Sequence, residues 1–340
     1  MHKAILKTTI LIISLEILLL KGTFAFSFTK WKDTLYQGIK NEAEKSFSEL
    51  FQQKVSIKKV GGILIGQIVL EEINLPSLGQ LPKVVLTFNP FKYAYYRGDI
   101  IPALTKITVF NGKIKVARGQ AGWNISSFLP QTATKEAQPM PFRGRVFFSN
   151  CQVSYRDEVG FRPQAKPFST QITDLNGTID LRKKDQIKFA LSGKSPELVK
   201  IQGWYNLINE KYQVNLTADK INLVSWGNYL LPFAELTFSS GSADLFLSLS
   251  PPKTKGWPVA LIGRAVINKA AGKFQNYKIS QTSGELFMAD ENVAFSNFKT
   301  NIDQIPLVIS GRLYNFSQLN LDLNISVPQA EFLQQKLSGE

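Results

Sequence analysis

The chain has 340 residues, of which 44% are hydrophobic and 11% aromatic, and its 40 Lys and Arg against 26 Asp and Glu give a formal charge of +14. That apolar fraction can bury a core, so the chain is not disordered, and its length fits one large β domain or two ordinary ones.

The only histidine is His2 and the only cysteine is Cys151. Ser-His-Asp and Cys-His catalysis in the body, an intramolecular disulfide and a Cys zinc site are therefore excluded. The basic residues are scattered and no nucleic-acid motif occurs, so the charge favours a membrane surface over nucleic acid.

The N-terminus has the pattern of a segment that targets a protein to a membrane. Residues 4–20 (AILKTTILIISLEILLL) follow a basic start, and small residues near Ala25 offer a cleavage site, as in a secretory signal peptide. Counted through Phe28, the segment is also long enough to span a bilayer, although Glu16 lies in its middle. We expect an uncleaved anchor over residues 1–26 with the body exported, and a cleaved signal peptide is the alternative.

An amphipathic helix is predicted over residues 27–53. Its apolar residues recur every four positions and form one stripe. The stripe consists of Trp31, Leu35, Ile39, Ala43, Phe47 and Phe51, with Leu50 beside them. Such a helix could lie at a membrane surface, or it could cover the end of the following sheet. The narrow stripe and the mixed signs of the polar face favour the covering helix.

From residue 54 onward the hydrophobic period is two, which predicts β-strands. Turn signals separate the apolar runs. These signals are Asn111-Gly112, Asn176-Gly177, residues 206–209, Ala271-Gly272 and residues 290–292. The pattern predicts an all-β meander with one apolar face per sheet.

Two stretches look like copies of one unit. Ile172-Thr-Asp-Leu-Asn-Gly177 is followed by Ile201-Gln-Gly203, and Ile279-Ser-Gln-Thr-Ser-Gly284 is followed by Ile309-Ser-Gly311. Self-similarity over so long a period indicates an elongated sheet built from repeats. The polar, Pro/Ala/Thr-rich residues 131–141 (QTATKEAQPMP) are interpreted as a loop or linker between the halves.

A hydrophobic N-terminal segment, a short helix and then a β module follow one another in this chain, and this order resembles that of a known family. Residues 63–75 (ILIGQIVLEEINL), 84–99 (VVLTFNPFKYAYYRGD) and 107–129 (ITVFNGKIKVARGQAGWNISSFL) are similar to the N-terminal module of the AsmA-like and TamB proteins of Gram-negative envelopes. In this resemblance the third segment is a hairpin that closes with a Gly-Trp-Asn turn. The downstream strand–Gly–strand pattern is similar to the body of the same proteins, so the resemblance covers nearly the whole chain.

The resemblance implies a mostly β fold: an elongated antiparallel sheet curled into a hydrophobic groove (a β-taco), with an N-terminal transmembrane or signal helix and one short amphipathic helix. The implied division is an anchor or signal segment 1–26, a helix 27–53, an N-terminal module 54–130, a loop 131–141 and a repeat-built groove 142–335. Family members are anchored in the inner membrane and are implicated in moving phospholipid across the periplasm or in outer-membrane assembly. The implied partners are membrane phospholipids and, at the C-terminal end, an outer-membrane or envelope protein, with no catalysis, cofactor or nucleic acid.

Two sets of candidate site residues follow. The residues expected to line the groove are one-face runs of the repeats: Ile187, Phe189, Leu191, Val214, Leu216, Leu245, Leu247, Leu321 and Leu323. The membrane-interface candidates are aromatic: Trp31, Phe91, Tyr93, Tyr95 and Tyr96. For the last four, an aromatic plug at the end of the sheet is the alternative. For the apolar runs the alternative is a sandwich whose faces bury each other, which would make the protein a non-enzymatic periplasmic scaffold with a closed core.

Two sequence patterns that would indicate an enzyme are rejected. S-x-x-K occurs at Ser56 and Ser250, but Ser56 lies in a β-period stretch and Ser250 precedes two prolines, so neither can start the helix that this chemistry needs. The adjacent carboxylates Asp157-Glu158 and Glu71-Glu72 would point to opposite faces of a strand. We therefore expect them to be turn or edge charges, and the chain not to be an enzyme.

Overall fold

The computed structural model describes residues 33–34, 36–45, 47–48, 53–63, 66–96, 102–120, 122–124, 142–159, 167–195, 197–230, 236–252, 260–290, 292–314 and 320–327. These residues form one long, mixed and largely antiparallel sheet of 17 strands with few short helices, so the prediction of a mostly β chain is confirmed. In the part of the chain thus described, no helix is long and apolar enough to cross a membrane. The expected anchor over residues 1–26 and the linker 131–141 lie outside the described residues.

The strands are β1 Ser56–Ile63, β2 Gln67–Leu75, β3 Gly79–Phe88, β4 Leu104–Phe110, β5 Lys113–Gly119, β6 Gly122–Trp123, β7 Arg145–Asp157, β8 Phe168–Asp180, β9 Gln186–Lys194, β10 Leu198–Asn206, β11 Tyr212–Asn222, β12 Leu236–Ser250, β13 Ala260–Phe274, β14 Tyr277–Ala289, β15 Asn292–Ile302, β16 Ile305–Tyr314 and β17 Asn320–Ser326. The helical parts are α1 (residues 36–45), α2 (Pro90–Tyr95) and a two-part helical turn between β11 and β12 (Leu223–Gly227 and Asn228–Leu230). From β7 to β17 each strand pairs antiparallel with the next in the chain.

Strands β4 and β5 are two halves of one bent strand between β3 and β7. Phe110 pairs with Ser149 and Lys113 pairs with Gln152, so the parallel register with β7 is the same on both sides of the bend. The turn predicted at Asn111-Gly112 is therefore wrong, and the chain reverses only after β5, where β6 pairs back onto it. Because β7 pairs with both halves, the sheet is continuous from the N-terminal module into the repeats.

A line of residues with left-handed backbone crosses the sheet, and we call it the bulge line. Its members have φ between 47° and 54°, apart from a glycine at 114°. They are Glu72, Asn111, Asn150, Asp174, Lys220, Gly241, Lys269, Gln281 and Asn297. Register shifts accompany the line in most strand pairs from β7 to β16. Since a bulge bends its strand, aligned bulges bend a sheet along one line.

The bulge line explains two further wrong turn predictions. Asn176-Gly177 lies inside β8 and Ala271-Gly272 lies inside β13, both close to the line. Asn and Gly tolerate the backbone conformations that bulges require as readily as those of turns, so residue type alone did not separate the two. The sequence repeat also has a structural meaning, because Asp174 and Gln281 are the third residues of their copies and both have positive φ.

Burial is concentrated in two places. The first is a core under β1–β4, in which Ile57 and Leu70 are 1% and 0% exposed. Helix α1 lies against this core, with Ile39 and Ala43 packed on it, and Phe47, just after the helix, packs on it as well. These contacts are those of a helix that covers the end of the sheet. The second place is a cluster beside the bulge line, formed by Ala218, Ile221, Leu223, Ala243, Ile267 and Ala270.

Candidate functional site

One face of the sheet is apolar from β1 to β17, and we call it the apolar face. Directly paired residues of neighbouring strands point to the same side, so the registers define rows that cross the sheet. The central row contains only aliphatic residues, Phe, Met and Gly: Val60, Leu70, Val84, Val109, Phe148, Gly177, Leu191, Ile201, Leu216, Leu247, Gly263, Met288, Val293, Leu313 and Leu321. The adjacent row is equally apolar: Ile68, Leu86, Ile107, Val146, Ile179, Phe189, Gly203, Val214, Leu249 and Leu261.

All nine residues predicted to line a groove lie on the apolar face. Leu191, Leu216, Leu247 and Leu321 belong to its central row, and the other five lie in the rows on either side. Eight of the nine are half-buried, and Leu321, on β17, is 54% exposed. None has the near-complete burial of the core under β1–β4. The structure thus brings the predicted residues together on one partly open surface.

The opposite side of the sheet carries rows that contain charged residues, and we call it the charged face. Its row through Lys200, Thr217, Phe246 and Arg264 mixes cations, hydroxyls and exposed rings. Ion pairs link neighbouring strands there, for example Arg264 to Glu285 at 2.6 Å. A shallow cavity of about 590 Å³ opens on this face, lined by Glu197, Leu198, Asp219, Lys220, Asp244, Phe246, Arg264 and Val266. Its lining has three carboxylates against two cations, so charges of both signs face a ligand there.

The helical turn fills a gap in the sheet. The β9–β10 hairpin turns between Lys194 and Leu198, beside the bulge line, so beyond that line β8 and β11 are not joined by strands. The turn occupies this space through aromatic packing. The Tyr229 ring stacks on Phe168 with centroids 4.0 Å apart and an interplanar angle of 8°, and the Trp226 ring lies 5.0 Å from Phe168.

A buried carboxylate holds this turn in place. Asp157 is 0% exposed, accepts a hydrogen bond from the Tyr229 hydroxyl at 2.5 Å and lies 3.5 Å from the Arg118 guanidinium. The Tyr155 and Tyr229 hydroxyls are 2.8 Å apart. Burial raises the pKa of both tyrosines, so both hydroxyls stay protonated. The expectation that Asp157 is a turn or edge charge is therefore wrong, and sequence reasoning missed it because Tyr229 lies far along the chain.

The aromatic residues of α2 and Tyr96, which follows it as the C-cap, divide into two groups. Phe91, Tyr95 and Tyr96 are 84%, 80% and 44% exposed. The ring of Tyr93 instead packs against Phe88, with centroids 5.5 Å apart, and against the core under β1–β4. The remaining interface candidate, Trp31, lies outside the described residues. Three of the five candidates are thus grouped on one exposed surface.

No family model matches the chain, and no curated protein matches it. Among the described residues no cluster of three or more His, Cys, Asp or Glu could hold a metal ion. The feature from which a function can be inferred is the arrangement of the two faces of the sheet.

Proposed function

We propose that the chain binds the acyl chains of phospholipids along its apolar face and conducts them between the inner and outer membranes of a Gram-negative envelope, or supports outer-membrane assembly in the same way. The observation that carries the proposal is the central row, which stays apolar from β1 to β17 while its later members remain half-buried or, at Leu321, exposed. An ordinary closed core would bury such a row completely. The resemblance to the AsmA-like and TamB proteins supplies the membrane setting.

The bulge line supports a groove that closes toward the apolar face. Beside the line, Ala218 and Ala270 on the apolar side are buried, whereas Lys220, Lys269 and Gln281 are exposed on the other side. Burial on one side of a bend and exposure on the other is what a concave and a convex surface produce. A concave apolar surface shields acyl chains from water at about 0.8 kcal/mol per buried CH₂.

The dimensions fit part of a path between two membranes. Strands lie about 4.8 Å apart, and β4 and β5 share one strand position, so the sheet extends over roughly 70 Å. We expect this to be too short for a whole periplasm, so the chain works as part of a longer path with an envelope protein at its C-terminal end. It is held at the inner membrane by residues 1–26, and its mechanism is passive sliding in which no residue makes or breaks a bond.

Photo-crosslinking tests this proposal. A benzoyl-phenylalanine at Leu247 on the apolar face, in the full chain within membranes, should form phospholipid adducts. The same probe at Ser248, the next residue on the charged face, is the matched control and should form none. Equal labelling, or no labelling, at the two positions would overturn the proposal.

Charged substitutions test the same surface. Leu247→Asp and Phe189→Asp should leave the sheet folded, because both side chains are half-buried, and should reduce lipid adducts at Leu216. The control Ser248→Asp should leave those adducts unchanged. Loss of folded protein in both Asp variants would instead identify these positions as core and favour a scaffold protein with a closed β core.

A further inference from the structure

We propose that helix α2 docks on the surface of an anionic lipid bilayer and holds the neighbouring end of the apolar face against it. The inference deepens the proposed function, on which it rests, by naming the part of the fold that meets the membrane. Three independent features of the described residues carry it: the exposed rings of α2, the charges of the adjacent strand ends, and the position at which the chain reaches the sheet.

The rings of α2 are exposed on a fixed support. Phe91 and Tyr95 are 84% and 80% exposed, which is unusual for two large apolar side chains on one helical turn. The Asn89 side chain caps the helix by accepting from the backbone N–H groups of Phe91 and Lys92. Tyr93 anchors the inner side of the helix on the core. Phe and Tyr in this setting suit the boundary between headgroups and acyl chains.

The charges near α2 are mostly positive. The row of the charged face closest to these strand ends passes through Lys106, Arg145, Asp180 and Lys188. Its single carboxylate, Asp180, already accepts from Arg182 at 2.6 Å and lies 3.3 Å from Arg145. Helix α2 adds the exposed Lys92 and contains no acidic residue. A basic rim around exposed aromatic rings complements anionic headgroups.

The chain reaches the sheet at the same strand ends. The Tyr36 hydroxyl, at the start of α1, donates to the Gly62 carbonyl at the end of β1. Gly62 pairs with Ile68 in β2, and the nearby Gly66 carbonyl accepts from the Phe88 N–H, just before α2. In the sequence, the apolar residues 4–20 precede α1. A segment of that kind inserted in a bilayer would bring this end of the sheet, with α2, to the membrane surface.

Fluorescence quenching by lipid tests the inference in the full chain. Phe91→Cys and Ser77→Cys, at opposite ends of β3, are each labelled with the environment-sensitive dye NBD and reconstituted in vesicles of phosphatidylcholine and phosphatidylglycerol. Cys151 is 0% exposed, so the unsubstituted chain serves as the labelling blank. Nitroxide on the acyl chains should quench the dye at position 91 severalfold more than at position 77.

Two outcomes would overturn the inference. One is a dye at position 91 that nitroxide lipids quench no more than the dye at position 77. The other is a dye whose emission shifts to the blue only as the protein density rises, without quenching, because α2 would then contact a second copy of the chain. Either result leaves lipid adducts at Leu247 unaffected, whereas loss of those adducts with quenching intact at position 91 would refute the proposed function alone.

Discussion

The first four strands and the strands from β9 onward share one apolar row but differ in what covers it. In β2 and β3, Leu70 and Val84 are 0% and 3% exposed, under a core on which α1 packs. In β11 and β12, Leu216 and Leu247 occupy the same row and are only half-buried. Alternation of apolar residues thus marks a face of a sheet, and the covering elements decide whether that face is a core or a surface that can receive a ligand.

The largest expected effect separates the two regions directly. Leu70→Ala should lower the free energy of unfolding by about 3–4 kcal/mol, since it leaves a cavity in a closed core. Leu247→Ala removes the same atoms from a half-open surface and should cost about 1 kcal/mol. Urea denaturation of the two variants measures the difference. Equal losses would show that the later strands bury a core of the same kind, and the contrast between the regions would fail.

A second prediction concerns the cluster that joins β7 to the later strands. Tyr229→Phe removes a hydroxyl that donates to the buried Asp157, and should lower the free energy of unfolding by about 2 kcal/mol. In a double-mutant cycle with Asp157→Asn, the coupling should be roughly 1 kcal/mol or more. Additive losses would mean that the aromatic stacking alone holds the helical turn.

The bulge line runs through both regions. Two substitutions of its exposed residue Gln281 should change the stability of the fold in opposite directions. Its φ is 53°, a conformation that a β-branched side chain resists, so Gln281→Val should destabilise the fold by about 1–2 kcal/mol. Gln281→Gly should be neutral or stabilising by about 0.5 kcal/mol, because glycine adopts this conformation freely. Thermal unfolding of the pair measures both. A Val variant as stable as the Gly variant would show that this backbone conformation is not required.

The smallest effect is electrostatic and depends on pH. Hydrogen bonding from Arg182, aided by Arg145, holds the pKa of the Asp180 carboxyl well below its usual range. The stabilisation is therefore complete above the unfolded pKa of about 4 and is lost as the pH falls below it. Solvent screening limits it to about 0.5 kcal/mol. Urea midpoints of the unsubstituted chain and of Asp180→Asn should differ at pH 7, and the difference should shrink steadily as the pH falls below 4; a constant difference would contradict the ion pair.

The sequence predicted those features of the fold that depend on local pattern. The period of two gave the strands and their apolar face, and the reversals at residues 206–209 and 290–292 are confirmed. The three Asn and Gly signals at residues 111, 176 and 271 marked positions on or beside the bulge line instead. Apart from Gly241, each positive-φ residue on that line carries a polar side chain two positions after an apolar residue, as in Phe148-Ser-Asn150 and Ile267-Asn-Lys269. This spacing is the signal that could have located the bend.

Other features depend on contacts between distant segments, which local pattern does not encode. The parallel pairing of β4 and β5 with β7 crosses residues 125–141, and nothing in either strand specifies its partner. The burial of Asp157 depends on Tyr229, which belongs to a different part of the sheet. How much of the apolar face is buried likewise depends on which elements pack against it in the assembled sheet. Membrane contact by α2 and lipid binding remain predictions for the experiments above.

The order of pairing from β7 to β17 also bears on how the molecule folds. Each of these strands pairs with the strand before it in the chain, so its pairing is local in sequence. The sheet can therefore grow by adding one hairpin at a time, before the C-terminal strands are present. The exception is β7 itself, whose parallel pairing with β4 and β5 must close a long loop first. Formation of that junction should therefore set the folding rate, and everything after it should follow in the order of synthesis.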